Sequence, residues 1–228
     1  MSILLRCSTP ILAICMVFVA FGSHATPRCL AGDKSIQLTI LSPSGVPLSL
    51  HLGTAYFDQR FIPQDGTTRE GLLIRMQATD FAPWPPEIRP HQSEGPLLQY
   101  LLTPFLPFDV VADRMVRLNS GYGYAEAVIL TDAPGPFGLT VPKAPRPDNL
   151  ESGPFLGKDD IYSARDLAGA ITDIIICARP GRTPFQICEH YIEAGEMDIQ
   201  ISYAPEFLPD WKRLSLQAKE FLRCMETN

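Results

Sequence analysis

The sequence predicts an α+β fold, in which a mainly antiparallel sheet is covered by a C-terminal amphipathic helix and joined by long proline-rich loops. Three observations predict this class: β-like runs precede a helical pattern near the C-terminus, earlier runs alternate apolar and polar residues, and the 228 residues include 22 prolines. Because proline fixes φ and lacks an N–H group, so many prolines require long irregular connections. The hydrophobic fraction of 46% is ordinary for a globular core.

The C-terminal unit, residues 170–225, carries the clearest signals. Strands are predicted over 171–178, 185–193 and 197–203, and the last of these alternates apolar and polar residues throughout. Beyond it, apolar residues recur at three- and four-residue steps: Phe207, Leu208, Trp211, Leu214, Ala218, Phe221, Leu222 and Met225. We therefore expect a helix that lies on the sheet, with Trp211 in the core.

Weaker signals come before this unit. Runs 36–41 and 48–52 flank turn residues and predict a hairpin, 71–79 predicts a strand with one apolar face, and 97–103 fits a helical turn or a short strand. Residues 163–168 stay unassigned. Runs 110–118 and 125–131 predict a second hairpin, whose tip carries Tyr122 and Tyr124. These tyrosines, with Trp84 in the proline-rich crossover 82–107, are candidates for partner binding.

The first twenty-five residues have the features of a secretory signal. Arg6 precedes an apolar run over 11–21, and Ser23-His24-Ala25 has the small-x-small pattern of a cleavage site. We expect cleavage near Ala25, a periplasmic or secreted location, no stable membrane insertion afterwards, and one α+β domain over 26–228. The alternatives are an uncleaved anchor, although the run is shorter than the roughly 20 residues that span a bilayer, and a lipoprotein signal at Cys15, where the preceding Ile is too bulky.

Four cysteines remain after that cleavage: Cys29, Cys177, Cys188 and Cys224. An even number in an oxidising compartment predicts two disulfides, for which three pairings are possible. We favour Cys177–Cys188 across a hairpin and Cys29–Cys224 between the N-terminus and the last helix. Zinc is the competing use of four thiols, but the sequence has no Cys-x-x-Cys pair, so we predict no metal.

The charge of the chain restricts its partners. The net charge is −6, and removal of residues 1–25, whose one charged residue is Arg6, makes it −7. This acidity argues against nucleic acid or an anionic membrane surface as the main partner, and it is compatible with a basic protein partner.

Signatures of catalysis are missing from the sequence. It contains no Gly-x-Ser-x-Gly, no His-Glu-x-x-His, no EF-hand calcium loop and no dinucleotide fingerprint, so we assign no cofactor and no catalytic residue. Cys188-Glu189-His190 has the residue types of a thiol with a nearby base, but a disulfide explains Cys188 more simply. The acidic residues of this region are expected to form a solvated face: Glu189, Glu193, Glu196 and Asp198.

These observations favour an exported non-enzymatic protein that acts by protein–protein binding, as an inhibitor, immunity-type or accessory envelope factor. One alternative is a small secreted hydrolase with a site built from His51, His91 or His190 and loop carboxylates. Another is a structural component of an envelope assembly.

Overall fold

The computed structural model of the protein describes residues 29–42, 44–88, 96–103, 107–119, 131–143, 159–181, 186–195 and 197–227. Within these ranges the fold is α+β, as predicted, with an eight-stranded antiparallel sheet and a C-terminal helix packed on it. The strands are β1 (Ser35–Leu41), β2 (Pro47–Gly53), β3 (Thr67–Arg69), β4 (Leu72–Gln77), β5 (Leu97–Thr103), β6 (Thr131–Pro134), β7 (Thr140–Lys143), β8 (Asp159–Arg165), β9 (Ile171–Ala178), β10 (Cys188–Ala194) and β11 (Met197–Tyr203). The α-helices are α1 (Phe108–Asn119) and α2 (Trp211–Thr227).

Two sheets contain these strands. The large sheet has the order β4-β5-β11-β10-β9-β8-β7-β6, and the small sheet has the order β2-β1-β3. In the small sheet β1 runs antiparallel to β2 and parallel to β3, and the predicted hairpin is confirmed by the β1–β2 pairing. Because β5 pairs with both β4 and β11, the proline-rich crossover contributes a central strand to the large sheet.

Helix α2 joins the two sheets through one core. It packs against β2 of the small sheet and β11 of the large sheet. The ring of Phe221 lies 5.1 Å from that of Tyr56 and 5.6 Å from that of Tyr100, measured between centroids. The Tyr100 hydroxyl also donates to the Ala218 carbonyl at 3.2 Å. The predicted apolar stripe therefore faces the core, and Trp211 is buried with it.

Helix α1 covers another part of the large sheet and corrects one prediction. Residues 110–118 were expected to be a strand of a hairpin, but they are helical. Their valines suggested a strand, whereas the buried residues recur at four-residue steps, at Phe108, Ala112 and Val116. This stripe packs on apolar residues of β8, β9 and β10, so tertiary burial outweighs the weak strand preference of the valines.

The other strand predictions agree closely with the structure. Strands β9 and β11 have the predicted bounds, and β10 begins at Cys188 rather than at 185. The predicted strand 71–79 is confirmed as β4, in which Leu72, Ile74 and Met76 form the buried face. The unassigned region 163–168 begins within β8.

Two disulfides tie the fold together, in the pairing expected from the sequence. Cys177 and Cys188 stand directly opposite each other on β9 and β10 and are bonded. The Cys29–Cys224 bond links residues 195 apart in sequence, and the Cys29 carbonyl also accepts a hydrogen bond from the N–H of Gly53 at 2.8 Å. The first described residues are thereby held against both β2 and α2.

Neither α1 nor α2 is long and apolar enough to cross a membrane, and the same holds for every helix in the described part of the chain.

Candidate functional site

A buried polar network connects three strands of the large sheet to α2. His190 of β10 is at its centre, with Nε2 2.8 Å from Oδ1 of Asp173 on β9 and Nδ1 3.2 Å from the Tyr203 hydroxyl on β11. From α2, the Ser215 hydroxyl donates to the same Asp173 oxygen at 2.7 Å. All four side chains are buried, and the His190 ring lies 6.4 Å from that of Trp211.

The hydrogen bonds decide the charge state of Asp173. Burial alone would raise the pKa of this carboxyl, but the hydrogen bond and the charge of His190, together with hydrogen bonds from Ser215 and Thr172, outweigh it and hold the pKa below the ordinary 3.8. An ionised Asp173 accepts from Nε2–H of His190, and Nδ1 of the same ring is within hydrogen-bonding distance of the Tyr203 hydroxyl. Burial and the charge of Asp173 raise the pKa of Tyr203, so that this phenol stays protonated.

The arrangement differs from that of a hydrolase triad. In a triad the nucleophile bonds to the histidine, and the carboxylate orients the ring from the other side. Here the Ser215 hydroxyl bonds to Asp173, and the hydroxyl on the free side of His190 belongs to the buried, protonated Tyr203. His190 has no exposed surface, so the network holds sheet and helix together instead of presenting a reactive group.

His51, another residue of the hydrolase hypothesis, does not join this network: it lies on β2, where its Nε2 is 2.8 Å from the Ser35 hydroxyl. His91 lies outside the described residues. Cys188 is in a disulfide. The sequence analysis did not predict Asp173 and Ser215, although each is a polar residue at an apolar position. Asp173 lies on the same face of β9 as Ile175 and Cys177, and Ser215 is one helical turn from Trp211.

A pair of carboxylates lies at the end of the β10–β11 hairpin, on the sheet face opposite α2. Glu193 and Asp198 are direct cross-strand partners, one pair from the turn. Glu193 is exposed, whereas Asp198 is only 8% exposed. On the other side of β11, Asp198 is paired with Thr103 of β5. Burial and the charge of Glu193 together raise the pKa of Asp198 to about 6.

The burial of Asp198 corrects the expectation that the carboxylates of this region form a solvated face. Glu189 and Glu193 keep solvent exposure, Asp198 is buried, and Glu196 lies outside the described residues. Asp198 lies on an interior strand of the sheet, because β5 pairs with β11. No signal within 197–203 could have revealed that neighbour, because it comes from residues almost a hundred positions earlier.

Of the three residues predicted to bind a partner, Trp84 lies within the described part of the chain. Trp84 is mostly buried, and its indole N–H donates to the Ile88 carbonyl at 2.9 Å. Its segment lies along the edge of β4, where the N–H of Gln77 donates to the Ala82 carbonyl at 2.8 Å. Tyr122 and Tyr124 lie outside the described residues. A partner-binding role for these three residues stays a prediction.

Two exposed aromatic side chains were not predicted from the sequence. Phe61 is 73% exposed, and the guanidinium of Arg60 lies 5.6 Å from its ring centroid. Phe137 is 52% exposed, with φ of 56°, and its carbonyl accepts a hydrogen bond from the indole of Trp211 at 3.1 Å. Their local sequences carry no pattern that marks them as exposed.

Within the described ranges, no group of three or more His, Cys, Asp or Glu side chains is arranged to hold a metal ion.

Comparisons with known proteins define the fold but no family. No protein-family model and no curated protein sequence matches the chain. Among solved structures it is similar to Smlt3025, an immunity protein of the Stenotrophomonas maltophilia type IV secretion system, with 16% identity, a TM-score of 0.58, and coverage of 89% of this chain and 99% of that one. A second similar structure is the iron-regulated outer membrane lipoprotein FrpD of Neisseria meningitidis, with 10% identity, a TM-score of 0.46, and coverage of 90% and 99%. The likeness to Smlt3025 shows a shared fold, and the likeness to FrpD is too weak to carry an argument.

Proposed function

We propose that this protein is an exported, non-enzymatic envelope protein that binds and neutralises a partner protein, in the manner of an immunity protein. The observation that carries the proposal is the likeness to Smlt3025, which extends over 89% of this chain and 99% of that one. Because one fold can host unrelated functions, the shared fold supports this function only together with the features of this chain.

Export is supported by the two disulfides, since such bonds persist in oxidising compartments and are rare in the cytosol. We infer that residues 1–25 direct the chain out of the cytoplasm and are removed near Ala25. The mature protein, residues 26–228, then acts in the periplasm or outside the cell as one α+β domain.

A basic partner is supported by the charge of the chain, which is −6 before the signal is removed. Opposite net charges steer two proteins toward each other and raise the association rate, most strongly at low salt. The buried state of the His190 network supports binding over catalysis, because the best candidate for acid–base chemistry serves the core instead.

The test combines capture with neutralisation. Oxidised mature protein is immobilised, and envelope and secreted fractions of its own organism are passed over it, with an unrelated acidic, disulfide-bonded protein as the control for simple ion exchange. We expect one basic protein to be retained by this chain alone. When that protein is exported to the periplasm of a test bacterium it should slow growth, and co-export of residues 26–228 should restore growth.

Two results would contradict the proposed function. In the first, nothing is retained beyond what the acidic control retains. In the second, a retained protein is equally toxic with and without the co-exported chain.

A further inference from the structure

We propose that Glu193 and Asp198 form a receptor for one basic side chain of the partner protein, with a guanidinium as the best fit. This inference rests on the proposed function and assigns residues to it. The site is the end of the β10–β11 hairpin, on the sheet face opposite α2.

The register of the hairpin places two like charges together. Glu193 and Asp198 are directly opposite in an antiparallel pair, where side chains on one face have Cβ atoms about 5 Å apart. Like charges in that position destabilise a sheet. Among the described residues, the pair is therefore an unfavourable feature of the free protein.

The burial of Asp198 adds a second, independent observation. The residue is 8% exposed, and no described residue donates a hydrogen bond to its carboxylate. The carboxylate oxygens are not among the fully buried polar atoms that lack a partner, so they are recessed but still reached by solvent. Its two cross-strand neighbours are Glu193 and Thr103, and neither supplies a positive charge. The recessed Asp198 and the exposed Glu193 thus form an acidic site for which the described residues supply no cation.

The chemistry of the pair selects the kind of cation. A calcium ion takes about six to eight oxygen ligands, more than two carboxylates supply, and the described residues contain no group of three or more metal-ligating side chains that includes this pair. A guanidinium is planar and carries five donors, so it can bond to both carboxylates at once. A lysine ammonium is a point charge that would satisfy the pair less completely. The occupant that fits is therefore an arginine side chain presented by a basic protein.

Neutral replacements of the two carboxylates should affect the stability of the protein and its binding to the partner in different ways. If the carboxylates serve the partner, neutral replacements should leave the fold intact or more stable while they weaken binding. If they serve the fold alone, the same replacements should leave binding unchanged.

The site itself is tested with N-acetyl-arginine methylamide as the probe and the citrulline analogue as its neutral isostere, by titration into ¹⁵N-labelled mature protein. We expect the arginine probe to shift the amide signals at the β10–β11 end selectively, the citrulline probe to leave them unchanged, and the shifts to be lost in the E193Q/D198N double variant. Shifts that persist in the double variant, or that are equal for both probes, would overturn the inference.

The function of the site is tested with the partner captured by the wild-type chain. D198N and E193Q should each weaken binding by about tenfold or more, as expected when one member of a buried charge pair is neutralised. E220Q removes the same charge from the exposed side of α2 and should change the affinity by less than about twofold. If D198N and E193Q bind like wild type, only this inference fails. If the wild-type chain captures no partner, the proposed function fails and the inference with it.

Discussion

The imidazole Nε2 of His190 and the carboxylate Oδ1 of Asp173 are 2.8 Å apart, in a part of the core where both side chains are buried. The same carboxylate accepts hydrogen bonds from Ser215 and Thr172, so that one ionised group holds two strands and a helix together. Such a network stabilises a fold only when it is complete, because a partner left unpaired in the core is costly.

Replacement of Asp173 by Asn should therefore destabilise the protein strongly. The amide cannot match the carboxylate as an acceptor for His190, Ser215 and Thr172, and we expect the free energy of unfolding to fall by about 3 kcal/mol. S215A, which removes one of these bonds, should cost about 1 kcal/mol. Urea denaturation of the oxidised proteins measures both values, and equal stability of D173N and wild type would contradict a structural role for the network.

Replacement of Asp198 by Asn should instead stabilise the protein. The pKa of Asp198 is about 6 in the folded protein, above the ordinary 3.8, so ionisation of this group opposes folding. The penalty is absent below pH 3.8, grows as the pH rises toward 6, and is complete above that value. D198N should therefore be more stable than wild type by about 1–2 kcal/mol near neutral pH, because it lacks this penalty.

Unfolding measurements on D198N and wild type across this pH range check the sign. The advantage of D198N should shrink as the pH falls through 6 and vanish below 3.8. E220Q removes one negative charge from an exposed position and serves as the control, which should change the stability by no more than about 0.5 kcal/mol at neutral pH. A D198N variant that is less stable than wild type at neutral pH would contradict the assignment of Asp198 as an unfavourable buried charge.

The two disulfides should contribute unequally. They close loops of very different length, with sequence separations of 195 for Cys29–Cys224 and 11 for Cys177–Cys188. In the chain-entropy model, removal of the first as C29A/C224A costs about 5 kcal/mol and removal of the second as C177A/C188A about 3 kcal/mol. Thermal unfolding of the two double variants tests the order, and alkylation followed by intact-mass measurement tests that the wild type has no free thiol among these four residues. The reverse order of stability would show that the loop-length model does not apply here.

Phe221 should be the most sensitive apolar position of α2. Its ring packs against the rings of Tyr56 and Tyr100, so F221A leaves a cavity and should lower the free energy of unfolding by about 3–5 kcal/mol. L216A is the matched control on the same helix, since Leu216 is 63% exposed, and it should cost no more than about 0.5 kcal/mol. Chemical denaturation distinguishes the two variants, and similar losses would contradict the placement of α2 in the core.

Local patterns were sufficient for the C-terminal unit. Residues 171–178 and 197–203 form strands with the predicted bounds, because their β-branched content and alternation are properties of a few neighbouring residues. The same holds for α2, whose three- and four-residue spacing predicted the face that is buried. The predicted hairpin also favoured the pairing of Cys177 with Cys188 among the three possible pairings, and these two residues are bonded in the structure.

The remaining features of the fold and of the polar sites depend on contacts between residues that are distant in sequence. Valines in 110–118 suggested a strand, and only packing on β8 and β9 shows which periodicity is used. The alternation of 197–203 predicted two faces, but it could not show that β5 would pair with this strand and make it an interior strand of the sheet. Asp173 and Ser215 are 42 residues apart and meet only when α2 lies on the sheet. A sequence pattern determines which residues share a face, whereas the tertiary pairing of strands and helices determines what covers that face and therefore which polar groups lose contact with water.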